Sequence, residues 1–140
     1  MAKKRLRDMT WDDYGISKYR YRELKNFCLQ YPEKKEQIRY GLTSHEPAEG
    51  LSGRIGRPTE SQAINNSPYI KDCLMIENAA REAAPEIHQW ILVSVTEDLS
   101  YDELEFHPEL GRIHVGRTEF YAYRRLFYKK LDDRNKLGTN

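Results

Sequence analysis

The chain is predicted to be all-α: a small multi-helix bundle ending in a helix-turn-helix. Three observations predict this class. Cap-like residues stand repeatedly ahead of apolar runs with a 3.6-residue period. The one β-branched block, residues 91–96, has no partner strand elsewhere, and a lone strand leaves its backbone unsatisfied. The last three predicted elements are a buried helix, a short capped helix and, after a connector, a basic aromatic helix, which is helix-turn-helix order.

A length of 140 residues supports one domain of ordinary size. With 39% hydrophobic and 32% charged residues and a mean hydropathy of −0.86, the core is expected to be modest. Ten tyrosines help fill it, because a ring packs while its hydroxyl can reach water.

The chain opens with a basic arm, and Thr10-Trp11-Asp12-Asp13 has the spacing of a weak capping box, with Trp11 expected to tuck the arm down. Gly15-Ile16-Ser17 then breaks the chain and caps a helix with Tyr21, Leu24, Phe27, Cys28 and Tyr31 on its apolar stripe. The same tripeptide can serve as the turn of a helix-turn-helix, but bulky Trp11 and the single turn before it favour a structural cap. Pro32 ends or kinks that helix, and a mostly exposed helix carrying Lys34, Lys35, Glu36 and Arg39 follows over about 33–40.

Residues 43–58 are rich in Gly, Pro, Ser and Glu and read as a flexible linker. Within it, Gly53-Arg54-Ile55-Gly56-Arg57-Pro58 resembles segments that lie in the minor groove, making Arg54 and Arg57 candidate contacts; the other reading is a flexible turn. Thr59 and Gln62 have capping-box spacing for a short helix that Asn65-Asn66 ends. Ser67-Pro68 opens a longer helix with Ile70, Cys73, Leu74, Ile76 and Ala80 inward. A helix from Pro85 to Leu99 is apolar nearly all round and is expected to be the central element, with a strand over 91–96 as the alternative. Ser100-Tyr101-Asp102-Glu103 is the cleanest capping box, opening a short helix with Tyr101, Leu104 and Phe106 inward before Pro108.

After Gly116 comes the basic aromatic helix. Phe120, Tyr123, Phe127 and Leu131 share one stripe, whereas Thr118, Ala122, Arg125 and Lys129 lie opposite and Arg117, Tyr121, Arg124 and Tyr128 line one shoulder. Residues 132–136 are expected to fray into a polar tail. The expected organisation is therefore an arm and helical segment (1–42), a linker (43–58) and a helical domain (59–140) with the helix-turn-helix over about 86–131.

The formal net charge is only +1, but it is segregated. Residues 77–105 hold eight acids and one Arg, whereas residues 112–130 hold six Lys or Arg against Glu119 alone. Such a surface suits a phosphate backbone despite a near-neutral total.

Catalysis is not expected. No phosphate-cradling loop, nucleophile elbow or His beside a nucleophile is present, and Asp12-Asp13 and Asp102-Glu103 occupy capping positions. Cys28 and Cys73 read as reduced core thiols, and His45, His88, His107 and His114 lack ligand spacing, so neither metal nor cofactor is expected. The longest apolar run, Trp90-Ile91-Leu92-Val93, is too short for a bilayer and no signal-peptide pattern follows the basic start; a cytoplasmic protein without a membrane partner is expected.

Asp13-Tyr14-Gly15-Ile16-Ser17, Arg22-Glu23-Leu24, Phe27-Cys28-Leu29-Gln30-Tyr31, Arg57-Pro58-Thr59-Glu60, and Arg117-Thr118-Glu119-Phe120-Tyr121 with Arg124-Arg125 together resemble small prophage-encoded proteins of Gram-positive, clostridium-type bacteria. Residues 100–131 are similar to ArpU/RinA-type phage regulators of late transcription, whose ends resemble the promoter-reading domain of sigma factors. One departure is a longer connector before Thr118, with His107-Pro108 inside it. The resemblance implies a sequence-specific phage or prophage transcriptional regulator of the late-gene activator type, working in a bacterial host cell. By position it places Arg117, Thr118, Tyr121 and Arg125 at or near base edges and Arg124, Tyr128 and Lys129 on phosphates. Double-stranded DNA is the implied partner, with host RNA polymerase touching the acidic segment 97–105. A homodimer would match palindromic operators, although no heptad seam marks one. The alternative is a small terminase-like packaging subunit or a protein-interaction module without catalytic activity.

Overall fold

The computed structural model describes residues 4–44 and 68–138, and all regular structure among them is helical. A 3-10 turn, Leu6–Asp8, precedes α1 (Lys18–Leu29), α2 (Tyr31–Ser44), α3 (Pro68–Ala83), α4 (His88–Glu97), the single-turn α5 (Tyr101–Leu104) and α6 (Arg117–Gly138). The strand alternative for residues 91–96 gives way to α4, where Ile91 and Val95 pack one turn apart in the core. Residues 45–67, which include most of the expected linker 43–58 with Arg54 and Arg57 and the expected short helix after Thr59, lie outside the described residues.

The start signals operate largely as read. Ser17 Oγ accepts from the Arg20 amide at 3.1 Å and caps α1, the structural role favoured over a helix-turn-helix turn. Thr10 and Asp13 bond reciprocally: the Thr10 amide donates to Asp13 Oδ2 at 2.8 Å and the Asp13 amide to Thr10 Oγ1 at 3.1 Å. Ser100 and Glu103 form a complete capping box on α5. Pro32 falls in the first turn of α2, where its missing N–H costs no helical bond, so it begins a helix as another ends. α2 then runs to Ser44 and takes in Thr43, the expected first position of the linker. α4 begins at His88, not Pro85, because residues 85–87 form a turn. It closes on Asp98, in the left-handed region at φ 57°, whose amide donates to the Ser94 carbonyl.

α4 touches the other five helices, in keeping with the central place expected for it, and α6 makes the most extensive packing, against α3. It packs on α3, α4, α1 and the 3-10 turn, while α2 lies on α3. Leu24, Cys28, Ile76, Ala80, Ile91, Val95, Leu104, Phe120, Phe127 and Leu131 belong to one core, so the described residues before and after the linker share it. Small Ala79, Ala80 and Ala83 on α3 let the long α6 approach closely. Polar ties join the same segments: Lys34 Nζ to Asp72 at 2.9 Å, Tyr31 Oη to Glu77, and Arg20 Nε to Asp132 at 2.7 Å.

Several expectations are corrected. Leu74 and Phe106, expected inward, are 48% and 86% exposed. Leu74 lies off the Cys73, Ile76, Ala80 stripe, and α5 ends before Phe106 can turn toward the core. Lys34, expected on an exposed helix, is buried against Asp72 with its ammonium 4.2 Å from the Phe27 ring centre. Residues 132–136 continue α6 instead of fraying, because Asp132 is 1% exposed and paired with Arg20. Ala122, expected on the outward face, is buried because the 3-10 turn of the arm docks on that side of α6.

Candidate nucleic-acid interface

The N-terminal end of α6 opens into a groove of about 680 Å³ between that helix and the docked 3-10 turn. Arg5 and Arg7 enter from the arm, and Arg117 and Thr118 from the first turn of α6. Apolar Leu6, Ala122 and Tyr123 form part of its wall, and Glu119 is its single acid. A 22-residue helix adds its own field, roughly half a positive charge at this end. Arm and helix thus place three guanidinium groups around one groove although they are more than a hundred residues apart in sequence.

The arm is held there by identifiable bonds. Arg125 Nε donates to the Met9 carbonyl at 3.0 Å and its Nη2 to the Arg7 carbonyl at 3.2 Å. Lys4 Nζ reaches both Asp13 carboxylate oxygens, at 2.9 and 3.1 Å. The Thr10 amide, Lys4 and the Thr10 hydroxyl, in that order of effect, lower the Asp13 pKa to about 2. Trp11 packs on Tyr21 and Tyr128 with ring centres 4.7 and 6.0 Å away, tucking the arm down as expected.

The connector before α6 is pinned. Trp90 Nε1 donates to the Gly111 carbonyl, Tyr101 Oη donates to the Val115 carbonyl at 2.8 Å, and the Tyr101 amide donates to Tyr121 Oη at 3.0 Å. Twelve residues, Glu105 to Gly116, separate α5 from α6. α5 itself is one turn long.

The seven candidate residues on α6 do not share one environment. Arg117 and Thr118 are exposed at the groove, with Arg117 paired to Asp102 at 2.6 Å and 5.2 Å from the Tyr101 ring centre. That exposed pair, which raises the Arg117 pKa, is screened by water. Tyr121 spends its hydroxyl on the α5 amide, and Arg124 lies over the Tyr121 ring at 5.8 Å. Arg125 is committed to the arm carbonyls instead of facing a base edge. Lys129 pairs with Asp133 at 3.0 Å. Tyr128 is corrected: it is 1% exposed, covered by Trp11, Tyr21 and Phe127, and its ring faces no solvent where a phosphate could lie.

Arg5 and Arg7 are the groove residues the sequence reading did not select. Their basic character was visible, but their place beside α6 depends on Arg125 binding backbone carbonyls, a contact without sequence spacing. Among the described residues no group of three His, Cys, Asp or Glu side chains gathers as a metal site, and no helix is long and apolar enough to cross a membrane. Cys28 and Cys73 are free and buried, with burial raising both thiol pKa values. No family model, curated protein or solved structure matches the chain.

Proposed function

We propose that the chain is a non-catalytic, sequence-specific binder of double-stranded DNA and acts as a phage or prophage transcriptional regulator. The observation that carries the reading is the groove at the start of α6, where Arg5, Arg7 and Arg117 meet the positive end of a long helix. Phosphates suit this arrangement because guanidinium forks match their oxygens and the helix dipole adds to the same sign. Thr118 and Arg117, at the tip, are the residues for base edges; Arg5 and Arg7 would hold the backbone. The contact set is smaller than the whole basic face, since Arg125, Tyr128 and Lys129 have structural partners or burial. The regulatory role rests on the resemblance of residues 100–131 to ArpU/RinA-type regulators, with α4 to α6 as an extended helix-turn-helix.

The test is binding to duplex fragments tiling the genome segment that encodes the chain, at physiological salt. One fragment should be held about a thousandfold more tightly than unrelated duplex. Replacing Arg5 and Arg7 by Gln should weaken binding to every fragment and lower the slope of log affinity against log salt by about 1 for each lost phosphate contact, whereas Arg117→Gln should erode the preference for the selected fragment. Equal binding to every fragment would sink sequence-specific regulation and favour the packaging reading. A protein-interaction module is the second reading, favoured by Phe106, which stands exposed between exposed Glu105 and the Glu109 turn. Absence of all DNA binding would leave that reading standing.

A further inference from the structure

A second pocket, of about 280 Å³, opens on the seam between the arm, α1 and α6. Its wall is Trp11, Tyr21, Tyr121, Arg124, Arg125 and Tyr128: four aromatic rings, two guanidinium groups and no carboxylate. Tyr128 is 1% exposed, with its hydroxyl buried beside Arg124. Burial raises its pKa and the Arg124 cation opposes the shift. Arg125 is fixed by the arm carbonyls, whereas Arg124 touches a ring face and pairs with no carboxylate among the described residues.

This lining selects a ligand class. An apolar molecule would strip water from two cations without compensating them. Inorganic phosphate would satisfy the cations and leave the rings unused. A planar anion uses both. The rings of Trp11, Tyr21 and Tyr128 already touch, at 4.7 and 5.2 Å between centres, so a planar group must lie across their open side, not between them. The pocket is smaller than the roughly 300–1,000 Å³ of ordinary small-molecule sites, which limits it to one such unit.

We propose that this seam binds a single nucleotide unit, its base lying on the Trp11, Tyr21 and Tyr121 rings and its phosphate on Arg124, with the arm-bound Arg125 guanidinium beside it. In a duplex both faces of each base are stacked, so the unit is an unpaired nucleotide, either free or within a single strand. The proposal goes beyond the duplex reading and uses different cations: Arg124 and Arg125 here, Arg5, Arg7 and Arg117 there.

The experiment uses the full chain with 5-fluorotryptophan, which gives separate fluorine resonances for Trp11 in the pocket wall and Trp90 on α4. Thymidine monophosphate, ribose 5-phosphate, inorganic phosphate and a thymidine dodecamer are titrated in turn. The expected result is a saturable shift of Trp11 but not Trp90 by the mononucleotide, with inorganic phosphate and ribose 5-phosphate at least about tenfold weaker. Arg124→Gln should weaken nucleotide binding by about tenfold and Arg124→Lys by less, with the thermal midpoint unmoved. Tighter binding of the dodecamer identifies a strand as the source, tighter binding of the mononucleotide a free nucleotide, and either upholds the site. No saturable Trp11 shift, phosphate binding as tightly as the nucleotide, or an unaffected Arg124→Gln variant would overturn it. Loss of this site with duplex selection intact sinks this inference alone; nucleotide binding without duplex selection sinks the regulator alone.

Discussion

Asp132 shows how far a single carboxylate can set the packing of this molecule. It is 1% exposed, 112 residues from Arg20 in sequence, and pairs with that guanidinium at 2.7 Å and with Lys136 at 3.3 Å. Removing Arg20 leaves a buried charge with one remaining cation, and bonds to charged groups contribute about 1.5–3 kcal/mol. Arg20→Met should therefore lower unfolding stability by about that amount in urea titrations. An Arg20→Met/Asp132→Leu double variant should recover part of the loss, because the stranded charge is gone. No recovery would mean that the guanidinium acts by packing alone. Asp13 makes the second residue-scale prediction. Its folded pKa is depressed to about 2, first by the Thr10 amide and then by Lys4, so its contribution is complete above the ordinary carboxylate value of 3.8. That contribution fades as pH falls through about 2. Arm docking, followed by the Trp11 signal, should weaken as pH falls from 3.8 toward 2, and Asp13→Asn should flatten that portion of the curve. An Asp13 carbon-13 carboxyl titration with an ordinary midpoint would refute the assignment.

At the scale of an element, legibility follows locality. Caps and stripes are written within four residues, so Ser17, Ser100 and the Leu24–Cys28 pair were readable, and so was the helical nature of residues 91–96. The burial of Tyr128 and Ala122 was not. A helical wheel assigns one buried face, but α6 has the core on one side and the arm on another, and the second cover comes from residues about 115 positions away. The candidate site suffered for the same reason: Arg117 and Thr118 were legible as the helix start, while Arg5 and Arg7 became groove residues only through docking. The α5 cap gives a direct check on the local part. Ser100 Oγ accepts from the Glu103 amide and the Glu103 carboxylate accepts from the Ser100 amide at 2.8 Å, so Ser100→Ala breaks one half of the box. The expected loss is about 1 kcal/mol in chemical denaturation, and Ser100→Gly should lose less, since glycine tolerates the cap backbone. Equal loss in both would show that the hydroxyl, not backbone freedom, sets the cost at this turn.

The whole molecule is organised by what crosses from the described residues before the linker to those after it. Leu24 and Cys28 of α1 sit in the same core as Ile91 of α4 and Phe127 of α6, and Lys34, Tyr31 and Arg20 each bond an acid from the later segment. α1 and α2 have no core of comparable extent without α3, α4 and α6, because Leu24 and Cys28 are the buried residues of α1. A chain built this way should unfold once, not in two stages. The two tryptophans are well placed to decide it: Trp11 reports the arm against α1 and α6, and Trp90 reports α4 against the connector at Gly111. Labelled with 5-fluorotryptophan, both native resonances should disappear at the same urea concentration, and helical circular dichroism should fall with them. Arg125→Gln should release the arm by removing its bonds to the Arg7 and Met9 carbonyls, shifting the Trp11 resonance in the folded protein and lowering the common midpoint. For that reason a loss of DNA binding in Arg125→Gln would report arm release as much as a lost contact, whereas Arg117→Gln leaves the arm in place. Two separate midpoints in the parent chain, Trp11 first and Trp90 later, would show that the early segment is an appendage to a self-sufficient α3–α6 body. The groove that joins Arg5 and Arg7 to Arg117 would then exist only while that appendage is docked.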